Sequence, residues 1–72
     1  MKSNKDVVMH ALANLRGDDY QRASRSFARL TPEQMQEPYG QSGSTPAKIL
    51  ADYKAYQDMI DAAIDWVKAL PE

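Results

Sequence analysis

Residues 45–70 read TPAKILADYKAYQDMIDAAIDWVKAL, and this stretch predicts one long amphipathic helix. Thr45 is a favourable N-cap, and Pro46 suits the first helical position, where its missing N–H costs nothing. Pro71 marks the end of the predicted helix. Apolar residues recur at steps of three and four and are widened by others beside them: Ile49, Tyr53, Tyr56, Ile60, Ala63, Ile64 and Val67, with Leu50, Met59, Trp66 and Leu70. We therefore predict a helix over residues 46–69 with a broad apolar face.

A first helix is predicted over residues 4–16. Ser3 or Asn4 can cap its start, and Gly17 ends it. Three apolar residues share one of its faces: Val8, Leu12 and Leu15.

A second helix is predicted over residues 19–30. Asp18 can cap it, with Gln21 in the position of a capping-box partner. Four apolar residues line its predicted inner face: Tyr20, Ala23, Phe27 and Leu30.

Thr31, Pro32 and Gln34 predict a short third helix over residues 32–36. Thr31 caps it, Pro32 takes the first helical position, and Gln34 can reach back to the Thr31 backbone. Glycine, proline and serine make residues 37–44 a loop. No strand pattern appears, so the predicted fold is all-α, with two N-terminal helices and a short helical turn packed on the long C-terminal helix.

The size of the chain favours self-association. At 72 residues we expect one domain, residues 1–72, and a domain of this size buries only roughly 60% of its unfolded surface. Cysteine is absent, so disulfides cannot add stability. Two short helices leave part of the long apolar face uncovered, which predicts a homodimer forming a helical bundle. The predicted self-association residues are Tyr53, Tyr56, Met59, Ile60, Ala63, Trp66 and Val67.

Charge and composition argue against several function classes. Nine basic and ten acidic residues leave no surplus charge for nucleic acid or an anionic membrane. No segment reads as a signal peptide or a membrane span, and we expect a cytoplasmic protein. With one histidine, His10, and no cysteine, we expect no metal site and no cofactor.

No catalytic residues are predicted. His10 has no acid or base partner that a pattern identifies. The loop sequence Gly40-Gln41-Ser42-Gly43 lacks the spacing of a nucleophile elbow, and no strand precedes it. We therefore expect a protein that is not an enzyme.

Three arginines form a basic ridge on the second helix. Arg22, Arg25 and Arg29 recur at i, i+3 and i+7, beside the apolar face. Solvation is the simplest explanation; alternatively, the ridge contacts a protein partner or clamps an anion such as a nucleotide phosphate. The loop before Pro46 could add donors at a helix N-terminus. The candidate residues for partner or anion binding are Arg22, Arg25, Arg29, Tyr39, Gln41, Ser42 and Ser44.

An acidic stripe repeats this spacing on the long helix. It consists of Asp58, Asp61 and Asp65, on the side away from Ile60 and Val67. A solvated face again explains it most simply. The alternative is that the acidic stripe and the basic ridge meet across a partner interface.

Four segments read GDDYQRASRSF (17–27), LTPEQM (30–35), YGQSG (39–43) and AAIDWV (62–67). In them the chain resembles small uncharacterised proteins encoded by tailed phages and prophages. This resemblance implies an accessory product that binds a host or defence protein, without naming the target.

Residues 30–33 read Leu-Thr-Pro-Glu, and residues 49–52 read Ile-Leu-Ala-Asp after a capped segment. These features resemble half of a DinB-like helical bundle. The metal site of that family uses histidines, whereas Asp52 stands in the corresponding stretch here, so the resemblance implies a bundle without the metal. A half-length chain also implies a dimer.

Together these features predict a small non-enzymatic binding protein that contacts a protein partner. The alternative is a protein that binds a small anionic ligand, such as a nucleotide, through the arginine ridge and a helix N-terminus.

Overall fold

The computed structural model describes residues 3–71, apart from the side chain of Ser42. It contains three α-helices and two 3-10 turns: α1 (Asn4–Arg16), α2 (Asp19–Phe27), the turns Gln34–Gln36 and Gly40–Ser42, and α3 (Pro46–Lys68). Within residues 3–71 no strand is present, and the all-α fold is confirmed. In the same residues, no helix is long and apolar enough to cross a bilayer.

Local capping sets both ends of α1. The Ser3 hydroxyl accepts a hydrogen bond from the Asp6 N–H at 3.2 Å. At the other end, Gly17 adopts a φ of 59°, and its N–H donates to the Ala13 carbonyl at 3.4 Å. A positive φ carries little steric cost for glycine, so the chain leaves the helix there.

Helix α2 begins at the predicted residue 19, but its cap and its end differ from the prediction. The Asp18 side chain makes no capping hydrogen bond, and its Oδ1 lies 3.1 Å from the Arg22 Nε. The predicted capping box with Gln21 is therefore wrong, because an arginine one turn away takes the carboxylate. The helix ends at Phe27, three residues early, since the Leu30 N–H donates to the Phe27 carbonyl at 3.0 Å with 3-10 spacing.

The capping box at Thr31 is confirmed. The Thr31 N–H donates to the Gln34 Oε1 at 2.9 Å, and the Gln34 N–H donates to the Thr31 Oγ1 at 3.2 Å. The predicted helix over residues 32–36 is reduced to the 3-10 turn Gln34–Gln36, and the predicted loop contains the second 3-10 turn. This box therefore starts a turn rather than a helix.

The N-terminus of α3 follows its sequence signals. The Thr45 Oγ1 accepts from the Lys48 N–H at 3.1 Å, and the Thr45 carbonyl accepts from the Ile49 N–H at 3.0 Å. Pro46 is fully buried. Burial of a residue that has no N–H leaves no donor unsatisfied, which suits proline at this position.

The chain divides into two compact units, which we describe separately. Unit 1 comprises the residues up to Gly17 together with those from Tyr56 onward, and unit 2 comprises Asp18–Ala55. Helix α3 supplies residues to both. The single domain remains a prediction.

Each unit has a small core. In unit 1, Ile60 and Val67 are buried; in unit 2, Phe27 and Pro46 are buried. The Phe27 ring meets the Tyr39 ring edge to face, with centroids 5.1 Å apart. Such limited burial is typical of chains near the lower size limit for independent folding.

Polar contacts tie α1 to α3 within unit 1. The Arg16 Nε donates to the Asp61 Oδ1 at 2.6 Å, and the Arg16 Nη2 lies 3.4 Å from Oδ2. Near the other end of α1, the Lys5 Nζ donates to the Leu70 carbonyl at 2.8 Å. Because residue 5 meets residue 70 while residue 16 meets residue 61, the two helices of this unit run antiparallel.

Candidate functional site

The arginine ridge is partly neutralised within its own helix. Arg22 lies 3.1 Å from Asp18 and 2.8 Å from Asp19, and all three side chains are more than half exposed. Exposed pairs of this kind add little stability, but they offset the charge that Arg22 could offer to a ligand. Arg25 and Arg29 are exposed, and none of the ion pairs found among residues 3–71 includes them. The ridge therefore keeps two exposed arginines outside the ion pairs found in this part of the chain.

The loop candidates lie on a closed turn in unit 2. The Tyr39 N–H donates to the Ser44 carbonyl at 2.8 Å, and Gly40 and Gly43 take φ values of 65° and 74°. The Tyr39 ring packs against Phe27, Gln41 is exposed, and Ser44 is half-buried. The predicted contact of the Ser42 side chain lies outside the described residues.

The start of α3 has few donors for an anion. The Lys48 and Ile49 N–H groups already donate to Thr45, and Pro46 has no N–H to offer. The ammonium group of Lys48 lies 3.0 Å from Asp52, within the same helix. Few N–H groups of the first turn are therefore left for an anion, which weakens the case for one at this terminus.

The sequence predicts no catalytic or metal-ligating residue, and the one histidine considered for such roles lies on a helix surface. His10 is exposed on α1. Among residues 3–71, no group of three histidine, cysteine, aspartate or glutamate side chains could hold a metal ion.

Some of the predicted self-association residues are buried and others are exposed. Ile60 and Val67 are covered by the unit 1 core, and Ala63 is half-buried. These residues therefore stabilise the unit itself. The exposed members of the set are Tyr53, Tyr56, Met59 and Trp66.

Helix α1 turns a different face inward from the predicted one. Leu12 is half-buried, as expected, but Val8 and Leu15 are exposed. Their predicted inward positions are taken by two long charged side chains: the half-buried Lys5 is hydrogen-bonded to Leu70 and the half-buried Arg16 to Asp61. The sequence pattern missed this because long side chains can bury their stems while their charged ends find partners.

The result is an exposed apolar surface in unit 1, which we call the Trp66 face. Its members are Val8 and Leu15 on α1, Met59, Ala62 and Trp66 on α3, and Leu70 just after the end of α3. Trp66 is 67% exposed, Met59 is 59% exposed and Leu15 is 60% exposed. Single exposed apolar residues are ordinary, but a group of large ones on adjacent helices is typical of an interaction surface.

A groove of about 460 Å³ lies at one end of the Trp66 face. Apolar side chains form most of its wall, with Ser3, Asn4 and Lys5 at the α1 terminus; the apolar set is Val8, Trp66, Val67, Leu70 and Pro71. The groove therefore places an exposed indole beside a concave apolar surface. Sequence reasoning identified Trp66 and missed Val8 and Pro71, whose contribution depends on how α1 meets α3.

Comparisons with protein-family models, with curated proteins and with solved structures find no match to this chain.

Proposed function

We propose that this chain is a small non-enzymatic binding protein that acts through protein–protein contact at the Trp66 face. The exposure of Trp66, at 67%, is the observation that supports this proposal most strongly. Tryptophan and methionine bury a large area for little conformational entropy, so they are enriched where proteins meet. An exposed indole beside an apolar groove loses unfavourable contact with water when a protein covers it.

We further propose that the partner is a host or defence protein and that the chain is a phage or prophage accessory factor. The resemblance of residues 17–27, 30–35, 39–43 and 62–67 to small phage-encoded proteins supports this assignment. The low net charge of −1 is consistent with recognition by apolar contact rather than by charge alone.

Affinity capture from a bacterial lysate tests the proposal. The tagged chain should retain a protein that the Trp66→Ser variant loses, because the substitution removes most of the apolar area at the centre of the face. Tyr53→Ser is the matched control, since Tyr53 is an exposed aromatic residue of α3 outside the Trp66 face. Capture profiles that are identical for the wild type and Trp66→Ser would contradict the proposal, provided that both proteins give the same helical circular dichroism.

A second candidate function is binding of a small anionic ligand. The observation in its favour is that Arg25 and Arg29 are exposed, with no ion pair found for either among residues 3–71. Arginine suits phosphate and carboxylate groups because its donors form a planar fork. This candidate ranks second because Arg22 is paired within its own helix and two N–H groups at the start of α3 already donate to Thr45.

A further inference from the structure

The groove at the end of the Trp66 face has one polar end, and the rest of its wall is apolar. Ser3, Asn4 and Lys5 form the polar end, at the start of α1. The remaining wall carries no charge and consists of Val8, Trp66, Val67, Leu70 and Pro71. All of these residues belong to unit 1, so the groove lies within one compact unit.

Lys5 gives the polar end a positive charge. Among residues 3–71, it is the only charged residue that lines the groove. Its ammonium group donates to the Leu70 carbonyl at 2.8 Å, and this bond holds the charge at the groove because Leu70 lines it as well. An ammonium group has three N–H donors, so one such bond does not exhaust its capacity. An anion at this end of the groove therefore meets a cation that is held in position and can still donate.

The acidic residues that neighbour the groove residues in the sequence point elsewhere. Asp6 follows Lys5 along the chain but does not line the groove. Successive residues of an α-helix are about 100° apart around its axis, so Asp6 lies almost opposite Val8 on α1. Asp65, the neighbour of Trp66, does not line the groove either. The charge that an occupant meets on the groove wall is therefore positive.

The groove is short, and this limits what can occupy it. Its polar and apolar ends are three residues apart on α1, at Lys5 and Val8, which corresponds to about 4.5 Å along the helix. The volume of about 460 Å³ lies in the lower part of the range for ligand pockets, about 300–1,000 Å³. We therefore expect a compact occupant that carries an apolar group and a negative charge within about one helical turn of each other.

We propose that the protein partner docks here through a large apolar side chain that fills the groove and a nearby carboxylate that pairs with Lys5. This inference rests on the proposed function, in which the same face contacts protein, and it specifies the chemistry of the docking segment. The apolar side chain covers Val8 and Trp66, and the carboxylate accepts from the Lys5 ammonium group. Side chains that fill a pocket at an interface supply most of the binding energy. A basic segment is disfavoured, because it places a second cation beside Lys5.

Three small probes that share a phenyl group and differ in charge test the chemistry of the groove. They are 3-phenylpropionate, its neutral amide and the cationic 3-phenylpropylamine. In an NMR titration, 3-phenylpropionate should shift the methyl signals of Val8, Val67 and Leu70, in the millimolar range expected of so small a ligand. It should bind about two- to fivefold more tightly than the amide, the ratio that a partly exposed ion pair supports, and the amine should bind most weakly. Equal affinities for the three probes, or shifts confined to other residues, would overturn the proposal.

Variants of Lys5 separate the effect of its charge from its contact with Leu70. Lys5→Gln removes the charge but keeps an N–H donor for the Leu70 carbonyl, and it should bind the carboxylate and amide probes equally. Lys5→Arg keeps the charge and should keep the preference for the carboxylate. Lys68→Gln is the matched control, because it removes a lysine charge at an exposed position of α3 that does not line the groove. A preference that survives in Lys5→Gln, with unchanged helical circular dichroism, would contradict the pairing.

Competition connects the groove to the partner and lets the two proposals fail separately. A protein captured through Trp66 should be displaced by 3-phenylpropionate but not by the same concentration of 3-phenylpropylamine, and Lys5→Gln should retain less of it than Lys68→Gln. Capture that depends on Trp66 but responds neither to Lys5→Gln nor to the probe would overturn the acidic docking segment and leave the proposed function intact. Probe binding as expected, with no protein captured, would assign the groove to a free small carboxylate and contradict both proposals.

Discussion

At the residue scale, the contact between Arg16 and Asp61 changes the meaning of the acidic stripe. The sequence places Asp61 with Asp58 and Asp65 on a side of α3 away from the core. In the structure, the Asp61 carboxylate accepts two bonds from the Arg16 guanidinium, at 2.6 Å and 3.4 Å, with side-chain exposures of 43% and 29%. This bidentate geometry is more favourable than a single hydrogen bond. Asp61 is therefore a tie between helices rather than one of three equivalent surface charges.

We expect Asp61→Asn to lower the free energy of unfolding by about 0.5–1 kcal/mol. The expected loss is small because both side chains are partly exposed to solvent. The loss arises because the amide keeps one acceptor but has no charge with which to attract Arg16. Urea denaturation measured by circular dichroism gives the value. Asp65→Asn is the matched control, since Asp65 is an exposed carboxylate one turn along α3. Equal stability of the two variants would mean that the pair contributes nothing.

At the element scale, local signals were readable from the sequence and nonlocal ones were not. The caps at Ser3, Thr31 and Thr45 involve atoms within three residues of each other, so short motifs carry the necessary information. The inward face of α1 depends on partners at Asp61 and Leu70, more than forty residues away. No periodicity within α1 reports such contacts, and the exposed positions of Val8 and Leu15 could not be predicted.

The candidate site was predicted in part for the same reason. Trp66 and Met59 stood out by residue type, at the edge of a long apolar stripe. Ile60 and Val67 belong to the same stripe but form the core of unit 1. A stripe that covers much of a helix contains both an inward face and an outward one, and only the packing of a second helix separates them.

We expect Thr45→Ala to destabilise the protein by about 1 kcal/mol, within the usual range for an N-cap. The substitution leaves the Lys48 N–H without its acceptor at the start of the longest helix. Thermal unfolding followed by circular dichroism measures the effect. Thr45→Ser should restore most of the stability, because a hydroxyl is again present. A Thr45→Ala variant as stable as the wild type would show that solvent replaces the cap at no cost.

At the whole-molecule scale, stability is expected to depend on association. Each unit buries few side chains, and a partner that covers the Trp66 face adds apolar burial that the single chain lacks. Anything that binds the folded state shifts the unfolding equilibrium by mass action. In the predicted homodimer, folding and dimerisation would then be linked through the protein concentration.

We expect the melting temperature to rise with protein concentration. A tenfold increase stabilises a dimer by about 1.4 kcal/mol, which at the usual unfolding entropy per residue corresponds to about 4–5 °C for two chains of this length. Differential scanning calorimetry over two decades of concentration measures the slope. An unchanged melting temperature would contradict a dimer that unfolds and dissociates together.

Differential scanning calorimetry also tests the alternative that the protein binds a small anionic ligand. That alternative predicts a rise in melting temperature with added nucleotide at a fixed protein concentration, and Arg25→Glu should abolish the rise. A nucleotide panel without effect would remove this alternative and leave protein contact as the proposed function.

The exposed position of Trp66 also makes the protein its own optical reporter. Trp66 is the only tryptophan of the chain, so its indole alone dominates the near-ultraviolet fluorescence. Because that indole lies in solvent on the Trp66 face, covering the face moves it into a less polar environment and shifts the emission to shorter wavelength. Occupancy of this surface can therefore be followed in unlabelled protein by the wavelength of the Trp66 emission maximum.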